Sequence, residues 1–150
     1  ASGTGGTIAG VSNALKEKNK NIKVYLSDPK GSSLYNYIKT KEFRSEGSSI
    51  TEGIGSSRVT KNFEKALIDD AYSIDDKTAL IVLFDLIEKE GLSLGTSSGI
   101  NVAGAIKLAK ELGPNKTIVT ILCDKSDRYQ GKLFNKKFLM DKNLPHPRWL

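Results

Sequence analysis

The chain has 150 residues, 38% of them apolar, and a formal net charge of +6, enough for one core of ordinary size with no compositional break to mark a second domain. No run is long enough to cross a bilayer, and the first residues are not a charged-then-apolar leader; because the chain does not begin with Met, a targeting segment ahead of Ala1 stays open. The basic residues are spread over helix faces and tails, densest at Lys16, Lys18, Lys20 and Lys23, and the sparse aromatics do not interleave with them, which sets nucleic acid aside as a partner.

The chain opens on Ala1-Ser2-Gly3-Thr4-Gly5-Gly6-Thr7, in which Gly3, Gly5 and Gly6 let backbone amides turn toward one point and Thr4 and Thr7 add hydroxyls. An amphipathic helix follows, with Ile8, Val11 and Leu15 on one face, so its positive end points at the same spot and makes an anion site. Only Ala1 and Ser2 precede the loop where a parallel sheet places a strand, which is the expectation for the later part of a longer polypeptide. Ile22 to Leu26 reads as a strand, Ser27 to Gly31 as a turn, and Leu34, Tyr37 and Ile38 as a helical face. Ser45 to Ser57, rich in Ser and Gly, reads as one long functional loop containing Glu52-Gly53-Ile54-Gly55.

The clearest helix runs from an Asp75 cap to Gly91 with Leu80, Leu83, Phe84 and Ile87 as its buried stripe. Leu92 to Leu94 leads to Gly95-Thr96-Ser97-Ser98-Gly99, then to a helix over Ile100 to Leu112 stopped by Gly113 and Pro114. Thr117 to Leu122 reads as a buried strand ending at Cys123, a buried structural thiol; a lone cysteine forms no internal disulfide and suits a reducing, cytoplasmic compartment. Helix followed by strand twice over predicts an α/β fold with a doubly wound, mostly parallel sheet in three layers. Residues 144–150 read as an extended arm, broken by Pro145 and Pro147, whose Trp149 and Leu150 dock on the body or on a second subunit. One partial domain over residues 1–150, lacking its first strands, is the expected organisation.

The Gly3–Thr7 loop lacks the lysine of a nucleotide P-loop and the spacing of a dinucleotide fingerprint, which argues against ATP and NAD; alone, it is equally a glycine turn that binds nothing. Alone, the Gly95–Gly99 segment reads as a helix start with Ser98 as its cap, and an ordinary surface loop is the alternative for Gly53–Gly55. Together, the two glycine-flanked hydroxyl loops, each opening a helix, belong at the carboxyl ends of strands, where such folds bind ligands. His146, between two prolines, has no metal or base role, no ligand set has metal spacing, and the pairs Asp69-Asp70 and Asp75-Asp76 flank a strand and start a helix as solvated caps.

Gly3-Thr4-Gly5-Gly6-Thr7-Ile8-Ala9-Gly10, Asp28-Pro29, Glu52-Gly53-Ile54-Gly55, Glu90-Gly91, Gly95-Thr96-Ser97-Ser98-Gly99 and Arg128-Tyr129 resemble, in order and separation, the C-terminal part of cysteine synthases, the O-acetylserine sulfhydrylases of the fold type II pyridoxal-phosphate family. The resemblance implies the large-domain portion of such an enzyme, with pyridoxal 5′-phosphate held at its phosphate by Gly3, Thr4, Gly5, Gly6 and Thr7 and at its pyridine nitrogen by Ser97. A neutral hydroxyl there makes the ring a weaker electron sink than a carboxylate would, which suits β-elimination better than transamination. It implies that Gly53, Ile54 and Gly55 border the amino-acid substrate, and that L-cysteine is made from O-acetylserine and sulfide. The Schiff-base lysine of the family falls in its N-terminal half, so no catalytic residue is expected here and residues 1–150 alone are not expected to turn over. A homodimer and the tail of serine acetyltransferase are the partners implied. Cystathionine β-synthases carry similar loops and stay open as an alternative, as does a degenerate relative that binds phosphate or a partner without catalysis. Ser126 stands where relatives carry glycine, so roles are not carried over to Asp124 or Ser126.

Overall fold

The computed structural model describes residues 1–150, which form two compact units. The first comprises Ala1–Ser49 and Gly53–Ser73; the second comprises Ile50–Glu52 and Ile74–Leu150. Each is described by itself.

In the first unit, helix α1 (Gly6–Lys18) leads to strand β1 (Tyr25–Pro29), helix α2 (Leu34–Thr40), a 3-10 turn at Phe63–Lys65 and strand β2 (Asp70–Ile74), which pairs with β1. The α/β class follows from this alternation, although the only sheet the chain forms has two strands. Tyr25 and Tyr72 stack across the pair with centroids 5.8 Å apart. Leu26, Leu34, Phe63 and Ala71 form the core, with Ile8, Tyr37 and Ile38 packed on it.

The first strand lies three residues later than Ile22 to Leu26 predicts. A turn occupies the expected start, closed by the Ile22 amide on the Asn19 carbonyl at 3.1 Å. The Val24 amide is taken by the Asp69 carboxylate at 2.7 Å, so Asp69 is a tie between segments and not a solvated cap. Ser27 and Asp28, expected in a turn, are buried inside β1 instead.

The face of α1 also differs from its expected stripe: Ala9 and Ser12 are buried while Val11 and Leu15 are exposed. Small residues win because another segment approaches closely: the Ser12 hydroxyl donates to Ala9 carbonyl and accepts the Leu67 amide at 2.9 Å.

In the second unit, helix α3 (Asp76–Glu90) follows its signals: Asp75 accepts the Thr78 amide at 2.9 Å, and Gly91 closes the helix at φ +68°. Helix α4 (Thr96–Leu112) packs on it closely, since a Cβ at Gly99 would sit 2.8 Å from the Ala79 carbonyl oxygen. Short helices α5 (Gln130–Leu133) and α6 (Lys136–Asp141) complete the unit, whose core is Leu80, Leu83, Phe84, Leu94, Tyr129, Leu133 and Leu139. The terminal arm docks on this body: Trp149 meets Phe84 edge-on at 6.1 Å and donates to Glu88 at 2.7 Å, and Leu150 packs on the core.

Thr117 to Leu122 is not the buried strand its composition predicts. Val119 is 82% exposed and Cys123 is exposed, because a strand needs a neighbour's hydrogen-bond ladder and none lies beside this run. It is held to α4 by side chains instead, with Asn101 donating to the Ile121 carbonyl at 2.9 Å and the Cys123 amide donating to Ser98 at 3.2 Å. Ser98 is therefore a tether and not a cap; Gly95 occupies the cap position. No helix of the chain is long and apolar enough to cross a membrane.

Candidate cofactor and substrate site

The Gly3–Thr7 segment turns into α1 through Gly5, which sits at the cap position with φ +84°. Only glycine suits this point, since a Cβ would lie 2.6 Å from the Phe63 nitrogen. Turning the chain there aims the first amides of α1, which have no partner within the helix, outward beside Thr4 and Thr7. Thr4, Gly6 and Thr7 are exposed, and no acidic side chain stands in the first turn to neutralise the helix end. The donors are amides and hydroxyls only, a set suited to a phosphate dianion.

Two supports hold this loop. The Thr60 hydroxyl donates to the Thr4 carbonyl at 2.5 Å and accepts the Phe63 amide at 3.1 Å, linking the loop to the 3-10 turn behind Gly5. On the other flank, the Gly55 amide donates to the Ser2 carbonyl at 2.8 Å, and a Cβ on Gly3 would collide with the Gly53 carbonyl oxygen. The structure thus brings together two of the segments singled out in the sequence, Gly3–Thr7 and Gly53–Gly55. Gly53 and Gly55 both adopt positive φ, at +73° and +77°. The Ser2 hydroxyl is buried without a hydrogen-bond partner beneath this junction.

Behind the glycine loop, Asp28 is fully buried in β1; its Oδ2 accepts the Tyr35 amide at 2.8 Å and its Oδ1 has no partner. Burial pushes its pKa up to about 6, against the pull of the Ser32 hydroxyl and the Tyr35 amide. Sequence reasoning passed over Thr60 and the part of Asp28 beyond its motif, because their partners lie 56 and seven residues away, respectively.

Ser97 belongs to the second unit, in the first turn of α4, and is buried. The turn is fixed by the Gly95 amide on the Asp124 carbonyl at 2.9 Å, and a Cβ on Gly95 would fall 2.6 Å from the Tyr129 ring. Tyr129 donates its hydroxyl to Asp124 Oδ2 at 2.7 Å, which pushes the phenol up to about 12. Thr96 Oγ1 and Asp124 Oδ1 are buried beside Gly95 with no partner, so this helix start has unused polar capacity next to Ser97. Ser126 is accommodated: its hydroxyl pairs with that of Ser93 at 2.6 Å, and it is not among the residues with positive φ. No group of three or more His, Cys, Asp or Glu residues is placed to hold a metal ion.

The family model described as pyridoxal-phosphate dependent enzyme matches residues 1–124. The chain is 42% identical over 154 residues to a cysteine synthase of Dictyostelium discoideum, covering 96% of this chain and 41% of that protein. It is 43% identical over 156 residues to cysteine synthase 2 of Schizosaccharomyces pombe, covering 95% and 40%. Among solved structures it is similar to an O-acetylserine dependent cystathionine β-synthase of Helicobacter pylori, with a TM-score of 0.75, 34% identity, and 85% of this chain and 40% of that one covered. The chain thus spans about two fifths of the length of these relatives, 40–41%.

Proposed function

Because the chain belongs to the pyridoxal-phosphate-dependent enzyme family, we propose that it supplies the phosphate cradle and the ring-nitrogen contact of a cysteine synthase, the enzyme that makes L-cysteine from O-acetylserine and sulfide. One observation carries this reading: an open amide-and-hydroxyl cradle at the start of α1 is joined, through Gly55 and Ser2, to the Gly53–Gly55 loop.

When bound, pyridoxal phosphate supplies an electron sink that weakens bonds at the α-carbon of an amino acid. The chain's own contribution is positional. Gly3, Thr4, Gly5, Gly6 and Thr7 would hold the phosphate with backbone amides and hydroxyls, a set without a countercharge that would compete for the substrate carboxylate. The buried Ser97 hydroxyl would serve the ring nitrogen as a neutral partner, which would leave that nitrogen without a fixed proton and favour loss of a β-substituent. Gly53 and Gly55 would admit the substrate by presenting no side chain, with Ile54 bordering it between them. Turnover requires residues beyond these 150, a homodimer is the working assembly, and the acetyltransferase tail is a competing occupant of the substrate site.

The test is the enzyme in its natural length: it should absorb near the visible edge when loaded with cofactor and form cysteine from O-acetylserine and sulfide. Inability to form cysteine would sink the reading. The likeness to a cystathionine β-synthase supports a second reading, in which a thiol amino acid replaces sulfide. Competing sulfide and homocysteine in one reaction separates them: excess cystathionine over cysteine favours the second.

A further inference from the structure

Ser32 sits between β1 and α2 and is buried, yet no motif singles it out. Its hydroxyl accepts the Ser56 amide at 2.9 Å and the Leu34 amide at 3.2 Å, and donates to the Ser56 carbonyl at 3.2 Å. Most of its hydrogen bonds go to Ser56, the residue that follows Gly55, and its hydroxyl also bonds the buried Asp28 carboxyl. The Ser33 amide adds a bond to the same Ser56 carbonyl at 2.7 Å. Gly55 packs on the same spot, since a Cβ there would stand 3.0 Å from Pro29 Cγ and 3.2 Å from Ser32 Cβ.

The consequence is mechanical. A loop with two left-handed glycines has many accessible conformations, and holding one of them costs entropy. The Ser2 carbonyl fixes the Gly55 amide from the cradle flank, and Ser32 fixes the next residue from the α2 flank. These anchors fix the C-terminal end of Gly53–Gly55, and the close approach of Gly3 to the Gly53 carbonyl holds the other, so the loop is set before any ligand arrives, which lowers the cost of binding one.

We propose that Ser32 is a positioning residue for the amino-acid substrate, acting by clamping Ser56 so that the Gly53–Gly55 backbone stands ready to receive it. The inference rests on the reading of Gly53–Gly55 as the substrate loop. It separates two functions that share one junction: loss of the clamp affects substrate binding, while the cradle keeps its own supports at Thr60 and Gly5.

Ser32→Ala and Ser32→Thr in the natural-length enzyme test this, with Ser32→Cys in place of alanine should that variant not fold. Four quantities are read: KM for O-acetylserine, kcat, amide hydrogen exchange at Gly55 and Ser56, and the dissociation constant of pyridoxal phosphate. Alanine should raise KM by about 10-fold with kcat within about 2-fold, speed exchange at both amides by about 10-fold, and leave the dissociation constant of pyridoxal phosphate within about 2-fold. Threonine, which keeps the hydroxyl, should restore most of the KM. An unchanged KM, a fall in kcat alone, or a loss of cofactor affinity equal to the loss of substrate affinity would overturn the proposal. A wild-type enzyme that forms no cysteine overturns the functional reading itself; that failure is distinguishable because exchange at Gly55 and Ser56 is read without turnover.

Discussion

Asp28 presents one carboxylate oxygen to the Tyr35 amide at 2.8 Å and leaves the other buried with no partner. A carboxylate in that position is stable as the acid and costly as the anion.

The stability of the first unit should therefore fall as pH rises. Burial raises the folded-state pKa of Asp28 from 3.8 to about 6, so the folded form binds the proton more tightly than the unfolded one. The contribution is fully present below pH 3.8 and is lost as pH climbs through 6. The shift corresponds to roughly 3 kcal/mol. Denaturant melts of wild type and Asp28→Asn between pH 4 and about 7.5 check it. The difference between the two should change in favour of the variant with rising pH; parallel curves would refute the assignment.

Thr60→Val should weaken the cradle where Thr60 supports the Thr4 carbonyl. Loss of that bond costs about 1 kcal/mol in stability and, by loosening the phosphate loop, about 10-fold in affinity for pyridoxal phosphate. Pyridoxal, without the phosphate, should bind both proteins alike in parallel titrations. Equal losses for the two ligands would show that Thr60 does not act at the phosphate end.

Alanine at the loop glycines should separate steric from conformational cost. At Gly5, both apply, with a Cβ 2.6 Å from Phe63 nitrogen and φ +84°, so Gly5→Ala should lose at least about 3 kcal/mol. At Gly53, with φ +73° and open space around the new Cβ, Gly53→Ala should lose only about 1 kcal/mol. Chemical denaturation ranks them, and equal losses would contradict the packing at Gly5.

Tyr129 should ionise late, near pH 12. The Asp124 hydrogen bond and burial raise its folded pKa above 10, so its contribution is held below pH 10 and disappears as pH rises through 12. Ultraviolet titration of wild type and Asp124→Asn tests this, and the late phase should move toward 10 in the variant. A late phase that survives would point to another tyrosine.

Local signals carried α3 well: Asp75 and Gly91 act within one turn of their own positions, so the residues that mark the ends also make them. The joining of Gly3–Thr7 to Gly53–Gly55 was not legible, because the Gly55–Ser2 bond spans residues far apart and uses only main-chain atoms. Thr117 to Leu122 misled for the opposite reason. Its β-branched residues describe a strand's preference, but a strand is a relationship with a neighbour. Val11 and Leu15 misled because helical periodicity tells which residues share a face, whereas the Ser12–Leu67 bond decides which face is covered. Ser32 looks like any loop serine until Ser56, 24 residues on, is seen beside it.

The approach of Gly3 to Gly53 also bears on how this pair can change over time. Because a Cβ at Gly3 meets a carbonyl oxygen and not a side chain, shrinking or reshaping the residue at position 53 makes no room. A lesion at Gly3 accordingly has no side-chain suppressor at its contact partner; revertants would be same-site, or would arise where a substitution lets the Gly53 main chain itself move away.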